Sequence, residues 1–324
     1  MRRWLIAAAA ALLGACQGGA PPSPHTVYVS NEQTGVVHVI DGARGTEIAK
    51  IPVGNRPRGL ELSPDGATLY VAVSNDNRIA SIDTKTRRVR GYLPGGSDPE
   101  RFAVSPDGKT LYVANEDEAK VSFLDVATGR VVRQTEVGGE PEGMAVSPDG
   151  RLVICTSEAV SLTHFIDAAT GELLDSVLVG ARPRDARFSP DGARLWVSAE
   201  VGATLSLFDV ATRKPINSID LRQGPGVQGG VQAVHMAITR GGDRLYVAGG
   251  RGNRAAEIDT RALKVTRWFT TGSRNWGLAL SPDETRLYAA SGLSRDLAIV
   301  DLKSGRTVKM VKLGGRPWGV VAGR

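Results

Sequence analysis

The stretch Arg58-Gly59-Leu60-Glu61-Leu62-Ser63-Pro64-Asp65-Gly66-Ala67-Thr68-Leu69-Tyr70-Val71-Ala72-Val73 decides the fold. Arg58 to Leu62 is a short apolar-alternating run and Leu69 to Val73 is a second. Between them Ser63-Pro64-Asp65-Gly66 is a tight turn: proline presets its backbone angle, aspartate accepts turn N–H groups and glycine takes the left-handed position. Two strands joined this way form a hairpin. The same tetrapeptide begins at Ser105, Ser147 and Ser189, each 42 residues after the last, with decayed copies at Thr239-Arg240-Gly241-Gly242 and Ser281-Pro282-Asp283-Glu284. A second series, Asp41, Asp83, Asp125, Asp167, Asp209, Asp259 and Asp301, keeps the step of 42 except for one step of 50. The chain is therefore an array of seven units, one carrying eight extra residues.

Within a unit, Arg78 to Ile82 and Val89 to Leu93 add a third and a fourth run, and four short strands per repeat are the signature of a β-propeller blade. The ends indicate a closed ring. The first unit begins at its second strand, Thr26 to Ser30, and the last stops after a first strand, Trp318 to Ala322. Residues 316 to 324 are expected to join residues 26 to 55 in one shared blade, which removes the open sheet edges. The predicted organisation is a signal segment at 1–15, a tether at 16–25 and a seven-bladed all-β propeller at 26–324.

The signal assignment follows from Arg2 and Arg3, which precede an apolar run from Trp4 to Leu13 too short to span a bilayer. Leu13-Gly14-Ala15-Cys16 resembles a bacterial lipobox, in which the Cys16 thiol is acylated and becomes the mature N-terminus. The expected location is periplasmic, on the outer membrane through that anchor; the alternative is an ordinary secretory signal cut nearby. Cys155, in the apolar run Val153-Ile154-Cys155, is expected to be a buried thiol without a partner.

With 40 Lys and Arg against 34 Asp and Glu, the charge of +6 is too diffuse to suggest nucleic acid, and two cysteines exclude a disulfide framework. No Cys-x-x-Cys-His for covalent haem, no phosphate loop and no nucleophile elbow occurs. His25, His38, His164 and His235 show no metal-ligand spacing. The seven periodic aspartates precede turns such as Thr84-Lys85-Thr86 and are expected to bind turn backbone.

The second-strand copies Val27-Tyr28-Val29-Ser30-Asn31, Leu69-Tyr70-Val71-Ala72 and Leu111-Tyr112-Val113-Ala114-Asn115 resemble the YVTN family of seven-bladed propellers. Arg56-Pro57-Arg58-Gly59, Asp98-Pro99-Glu100, Glu140-Pro141-Glu142-Gly143-Met144, Thr163-His164-Phe165-Ile166-Asp167 and Arg316-Pro317-Trp318-Gly319 are similar to the propeller associated with pyrroloquinoline quinone-dependent alcohol catabolism. That resemblance implies a secreted, non-enzymatic accessory protein made alongside quinoprotein dehydrogenases, cytochromes c and an export transporter, with the quinone itself as a candidate ligand. The chain is expected to act as a monomer.

What differs between units is the start of the first strand, the innermost in a propeller of this order. It runs Arg56, Asp98, Glu140, Arg182, Gln232, Arg274, Arg316 around the ring, and two residues on, Arg58, Glu100, Glu142, Arg184, Val234, Trp276, Trp318. Arg56, Arg58, Arg274, Trp276, Arg316 and Trp318, with His235 alongside, form the expected cationic and aromatic binding sector, beside an acidic sector of Asp98, Glu100, Glu140 and Glu142. Guanidinium forks next to indoles suit a planar anion or a carboxylate-bearing partner; the competing reading is a charge-balanced plug closing the channel. Glu140 and Glu142 are the only start of a metal site, as a lactonase-like hydrolase would require. A surface propeller unrelated to quinones is the third reading. The Gly-rich insertion Leu221 to Gly230 is either a flap over the channel or a surface loop.

Overall fold

The computed structural model describes residues 25–227 and 229–323. The signal segment 1–15, Cys16 and the tether up to residue 24 lie outside the described residues, so those expectations are not tested by the fold. Among the described residues no helix is long and apolar enough to cross a membrane.

The described residues form seven four-stranded antiparallel sheets. Blade 2 shows the plan, with strands Pro57–Leu62, Thr68–Val73, Arg78–Asp83 and Arg88–Pro94 running from the centre outward. Each begins or ends within a residue of its sequence expectation. The second strand is buried along nearly its whole length, whereas the outermost alternates exposed and half-buried residues. The reason is the stacking of blades: inner strands have a neighbouring sheet on both faces, and only the rim meets water. Tyr28, Val37, Val39 and Ile51 of blade 1 thus pack with Leu69, Val71, Ala80 and Ile82 of blade 2 in one cluster.

Ring closure is as expected. Pro317–Gly323 pairs antiparallel with Thr26–Asn31, placing Ala322 opposite Val27 and Val320 opposite Val29, so the last strand is the innermost strand of blade 1. The seven innermost strands touch one another in cyclic order. Arg286 of blade 7 adds hydrogen bonds to the carbonyls of Gly42 and Ala43 in blade 1.

All seven periodic aspartates accept a backbone N–H from the turn that follows, at 2.6 to 3.0 Å. Hydrogen bonds from these turns, led by the backbone N–H at five positions and by the Thr128 and Ser304 side chains at Asp125 and Asp301, hold every one of the seven carboxyls below its ordinary range, Asp83 at about 2. Their contribution is therefore present at neutral pH and lost as pH falls below about 4. Cys155 is fully buried, and burial pushes its thiol far up.

In blade 6 the innermost strand is only Met236–Ile238. The inserted segment leads into it with Leu221 and Val231 buried between blades 5 and 6, Val227 packed on the same cluster, and the Gly226 carbonyl accepting from Arg254. These contacts anchor it to blades 5 and 6, because its apolar side chains find their burial between the blades.

Deleting residues 316 to 324 withdraws buried Trp318 and Val320 and leaves Thr26–Asn31 as an open edge. A loss on the order of 5 kcal/mol is expected. Thermal melting should fall by about 10 °C or more; a shift of a degree or two would contradict closure.

Candidate functional site

Five of the seven residues at the start of the innermost strands adopt the left-handed backbone region, with φ of 57° at Arg56, 48° at Asp98, 54° at Glu140, 58° at Arg182 and 57° at Arg274. A residue with a Cβ is strained there by about 1 kcal/mol or more. Glycine would relieve the strain, so the long charged side chains at these positions serve the channel mouth.

The cationic and acidic sectors expected from the sequence are not separate. Arg56 donates through Nη1 to both oxygens of Asp98, at 2.8 and 2.9 Å, and its Nη2 lies 2.8 Å from Glu100. Arg58 reaches Glu100 at 2.9 Å and Glu32 at 3.3 Å. Neighbouring blades set these opposite charges side by side and they interlock. Across the ring, buried Arg184 touches Glu142 at 2.9 Å, Glu200 at 2.7 Å and Glu158. Arg182 also pairs with Glu158, at 2.6 Å.

These networks rely on a carboxylate series not expected from the ring positions. Glu32, Glu116, Glu158 and Glu200 each follow the end of a second strand, four residues after Tyr28, Tyr112, Ile154 and Trp196. Their spacing of 84, 42 and 42 residues is a multiple of the repeat, and that signal was present in the sequence. Burial and then the charge of Glu142 push Glu158 upward; burial raises Glu100 and Glu116 too, with Glu142 the next cause. Glu142 is also buried, yet Arg184 holds it below its usual range.

Of the expected binding residues, Arg56, Arg58, Arg274, Arg316 and Trp318 come together around a mouth cavity of about 700 Å³, with Glu32 in the same wall. Trp276 and Trp318 are buried, 7% and 6% exposed, and already faced by guanidinium groups. Arg58 lies 5.1 Å from the Trp318 ring, and Arg274 and Arg184 lie 4.5 and 5.3 Å from that of Trp276. The indoles are thus roofed rather than open platforms. His235 sits deeper, its ring 6.3 Å from Trp318. Among the described residues neither Arg274 nor Arg316 has a carboxylate within 4 Å. Among the described residues they are the arginines lining this cavity that no carboxylate pairs.

Glu140 and Glu142 do not converge on a metal position. Glu140 is exposed at the rim and Glu142 is spent on Arg184. The acidic group whose oxygens lie within 4.8 Å of one another is Asp98, Glu100 and Glu116. There the Arg56 guanidinium already supplies the positive charge. His38 and His164 are buried and hydrogen-bonded, His38 to Asn31 and Glu47, His164 to Ser157 and Ser176.

A model of the YNCE-like beta-propeller family matches residues 4–116 and 70–148. No curated protein matches the chain by sequence. Among solved structures, a functionally unknown protein from Desulfotomaculum acetoxidans superposes with a TM-score of 0.75 at 16% identity, covering 92% of this chain and 99% of that one. Hydrazine synthase of Kuenenia stuttgartiensis gives 0.72 at 22% identity over 82% and 89%. The dihydro-heme d1 dehydrogenase NirN, in complex with DHE, gives 0.68 at 16% identity over 91% and 74%. Such identities establish the seven-bladed fold and nothing finer.

Arg184→Gln should be among the most damaging single changes at the mouth, since it leaves buried Glu142 without its guanidinium and Glu158 and Glu200 with Arg182 alone, at about 3–5 kcal/mol. Without the guanidinium the proton affinity of Glu142 rises from below to above the unfolded value, and that of Glu158, already raised by burial, climbs further. The variant's stability is then retained at low pH and lost as pH rises. Urea unfolding at pH 5 and pH 8 should show a much larger deficit at pH 8.

Proposed function

We propose that this propeller is a non-enzymatic, extracytoplasmic binding module whose channel mouth takes an anionic ligand or a carboxylate-bearing partner in pyrroloquinoline quinone-dependent alcohol oxidation. The single observation behind the reading is the pair Arg274 and Arg316, set over the mouth cavity without carboxylate partners while every other arginine of the expected sector is neutralised. A guanidinium fork offers two parallel donors to a carboxylate, and the rigid ring holds both forks in place before binding. A polycarboxylate quinone meets that geometry from above, resting on the guanidinium layer that roofs the indoles. The quinone link rests on the repeat-motif resemblance. By their names the solved neighbours include a hydrazine synthase and a dihydro-heme d1 dehydrogenase, which lend it the fold and no ligand. The candidate partners are the quinoprotein dehydrogenase, its cytochrome c or an export transporter component.

Changing Arg274 and Arg316 together to Gln should leave melting nearly unchanged and weaken binding of pyrroloquinoline quinone about 100-fold or more, from two lost charge-assisted contacts of about 1.5–3 kcal/mol each. Arg56 is left intact because its removal would expose Asp98 and Glu100. Calorimetric titration and co-purification with the dehydrogenase test it: parent-like binding by the double variant overturns the site.

The anchor belongs to the same proposal. Cys16→Ser should release the protein from membranes in fractionation after a high-salt wash, a wash that screens attraction by net charge alone. Retention in the membrane fraction would refute acylation at Cys16.

A further inference from the structure

Below the mouth, the innermost strands enclose a second cavity of about 290 Å³ opening toward the opposite face, at the lower end of the size range for small-molecule sites. One wall carries Glu61, Arg101 and Arg187; the other is apolar, with Met236, Leu278 and Val320. Arg101 is 8% exposed. Its Nη2 lies 3.5 Å from Asp185, its Nη1 packs on Nε2 of His235, and its Nε has no hydrogen-bond partner. Asp185 is fully buried and shared: it accepts from the Met236 N–H at 2.8 Å and lies 3.3 Å from Nε of Arg187, which also donates to the Met236 carbonyl.

Two guanidiniums therefore divide one carboxylate. His235 does not compensate, because burial, Arg101 and Arg187 keep it neutral by pushing its proton affinity far down. Glu61 faces the same space with no cation within 4 Å among the described residues, and burial raises it to about 7, against the pull of Arg187 and Arg101.

We propose that this far-end cavity is a second binding site, for a small monocarboxylate whose head is held by Arg101 and Arg187 and whose short apolar body rests on Met236, Leu278 and Val320. The head neutralises the excess cation, and the apolar wall selects an organic acid over an inorganic ion. Protonated Glu61 donates an O–H to the bound head; ionised Glu61 repels it. Binding is thus strongest below pH 7. The site is independent of the mouth, and neither Arg274 nor Arg316 lines it.

The test is titration of sodium butyrate into the full chain, followed by calorimetry. At pH 6 one molecule should bind per chain, and at pH 8 binding should weaken by about tenfold. Glu61→Gln should bind at both pH values alike. Ala237→Phe, which fills the cavity without changing a charge, should abolish binding; Arg187→Gln, at a half-buried position, should weaken it at least about tenfold and serves as the test where the Phe variant does not fold. The Arg274→Gln/Arg316→Gln variant should bind butyrate like the parent, so failure here and failure of the mouth site are separately visible. No saturable binding at pH 6, full binding in folded Ala237→Phe, or equal competition by chloride would each overturn the assignment.

Discussion

The ring is held together by a close approach between neighbouring innermost strands. A Cβ on Gly59 would stand 2.7 Å from the Glu100 carbonyl oxygen of the next blade, and one on Gly277 would stand 2.4 Å from that of Trp318. Gly143 and Gly319 meet the carbonyls of Arg184 and Arg58 in the same way. Strand-to-strand contact at this distance sets the width of the channel and so which side chains can reach across it. At the equivalent place three blades carry Arg101, Asp185 and His235 instead. Their side chains have only the channel interior to occupy, where they meet one another. A departure from the packing rule thus builds the lower polar cluster.

The upper layer follows from the same narrowness. With inner strands so close, Glu100 and Glu142 are stripped of water, and isolated buried carboxylates are strongly disfavoured. Each consequently acquires an arginine, and the two networks, around Arg56 and Arg58 and around Arg184, tie the arginines of blades 2 to 5 into ion pairs. Blades 7 and 1 contribute tryptophans at the corresponding inner position, which need no counter-charge, and their outer Arg274 and Arg316 remain unspent. The asymmetry of the mouth is what local ion pairing leaves over, more than a division into charged halves.

Much of this was legible in the sequence, for a physical reason. Repeated local chemistry, such as Ser63-Pro64-Asp65-Gly66 or the aspartates that clasp their turns, acts through neighbours in the chain, so spacing alone exposes it. Seven units and the closing strand followed directly. The site was legible in part: Arg56, Arg58, Arg274, Arg316 and Trp318 do share a cavity. Their pairings were not, because Arg184 against Trp276 and Arg101 against Asp185 join different blades across the channel, where the repeat carries no information. Glu32, Glu116, Glu158 and Glu200 were readable by period, but their role depends on a turn of the backbone that brings strand-two ends beside strand-one starts.

Backbone strain connects these layers. Arg56, Asp98, Glu140, Arg182 and Arg274 hold a left-handed conformation that closure imposes, since it is the turn by which the chain drops from one blade's outer edge to the next blade's centre. At Arg56, Asp98 and Arg182 the strain is offset by ion pairs. At Arg274 the guanidinium lies over the Trp276 ring, a cation–π contact of about 0.5–2 kcal/mol, with no carboxylate within 4 Å among the described residues, and burial lowers its proton affinity. Arg274 is therefore strained, partly desolvated and unneutralised at once. At the proposed site an anion would relieve the last two conditions without moving the backbone, which is why Arg274 is the natural anchor of that proposal.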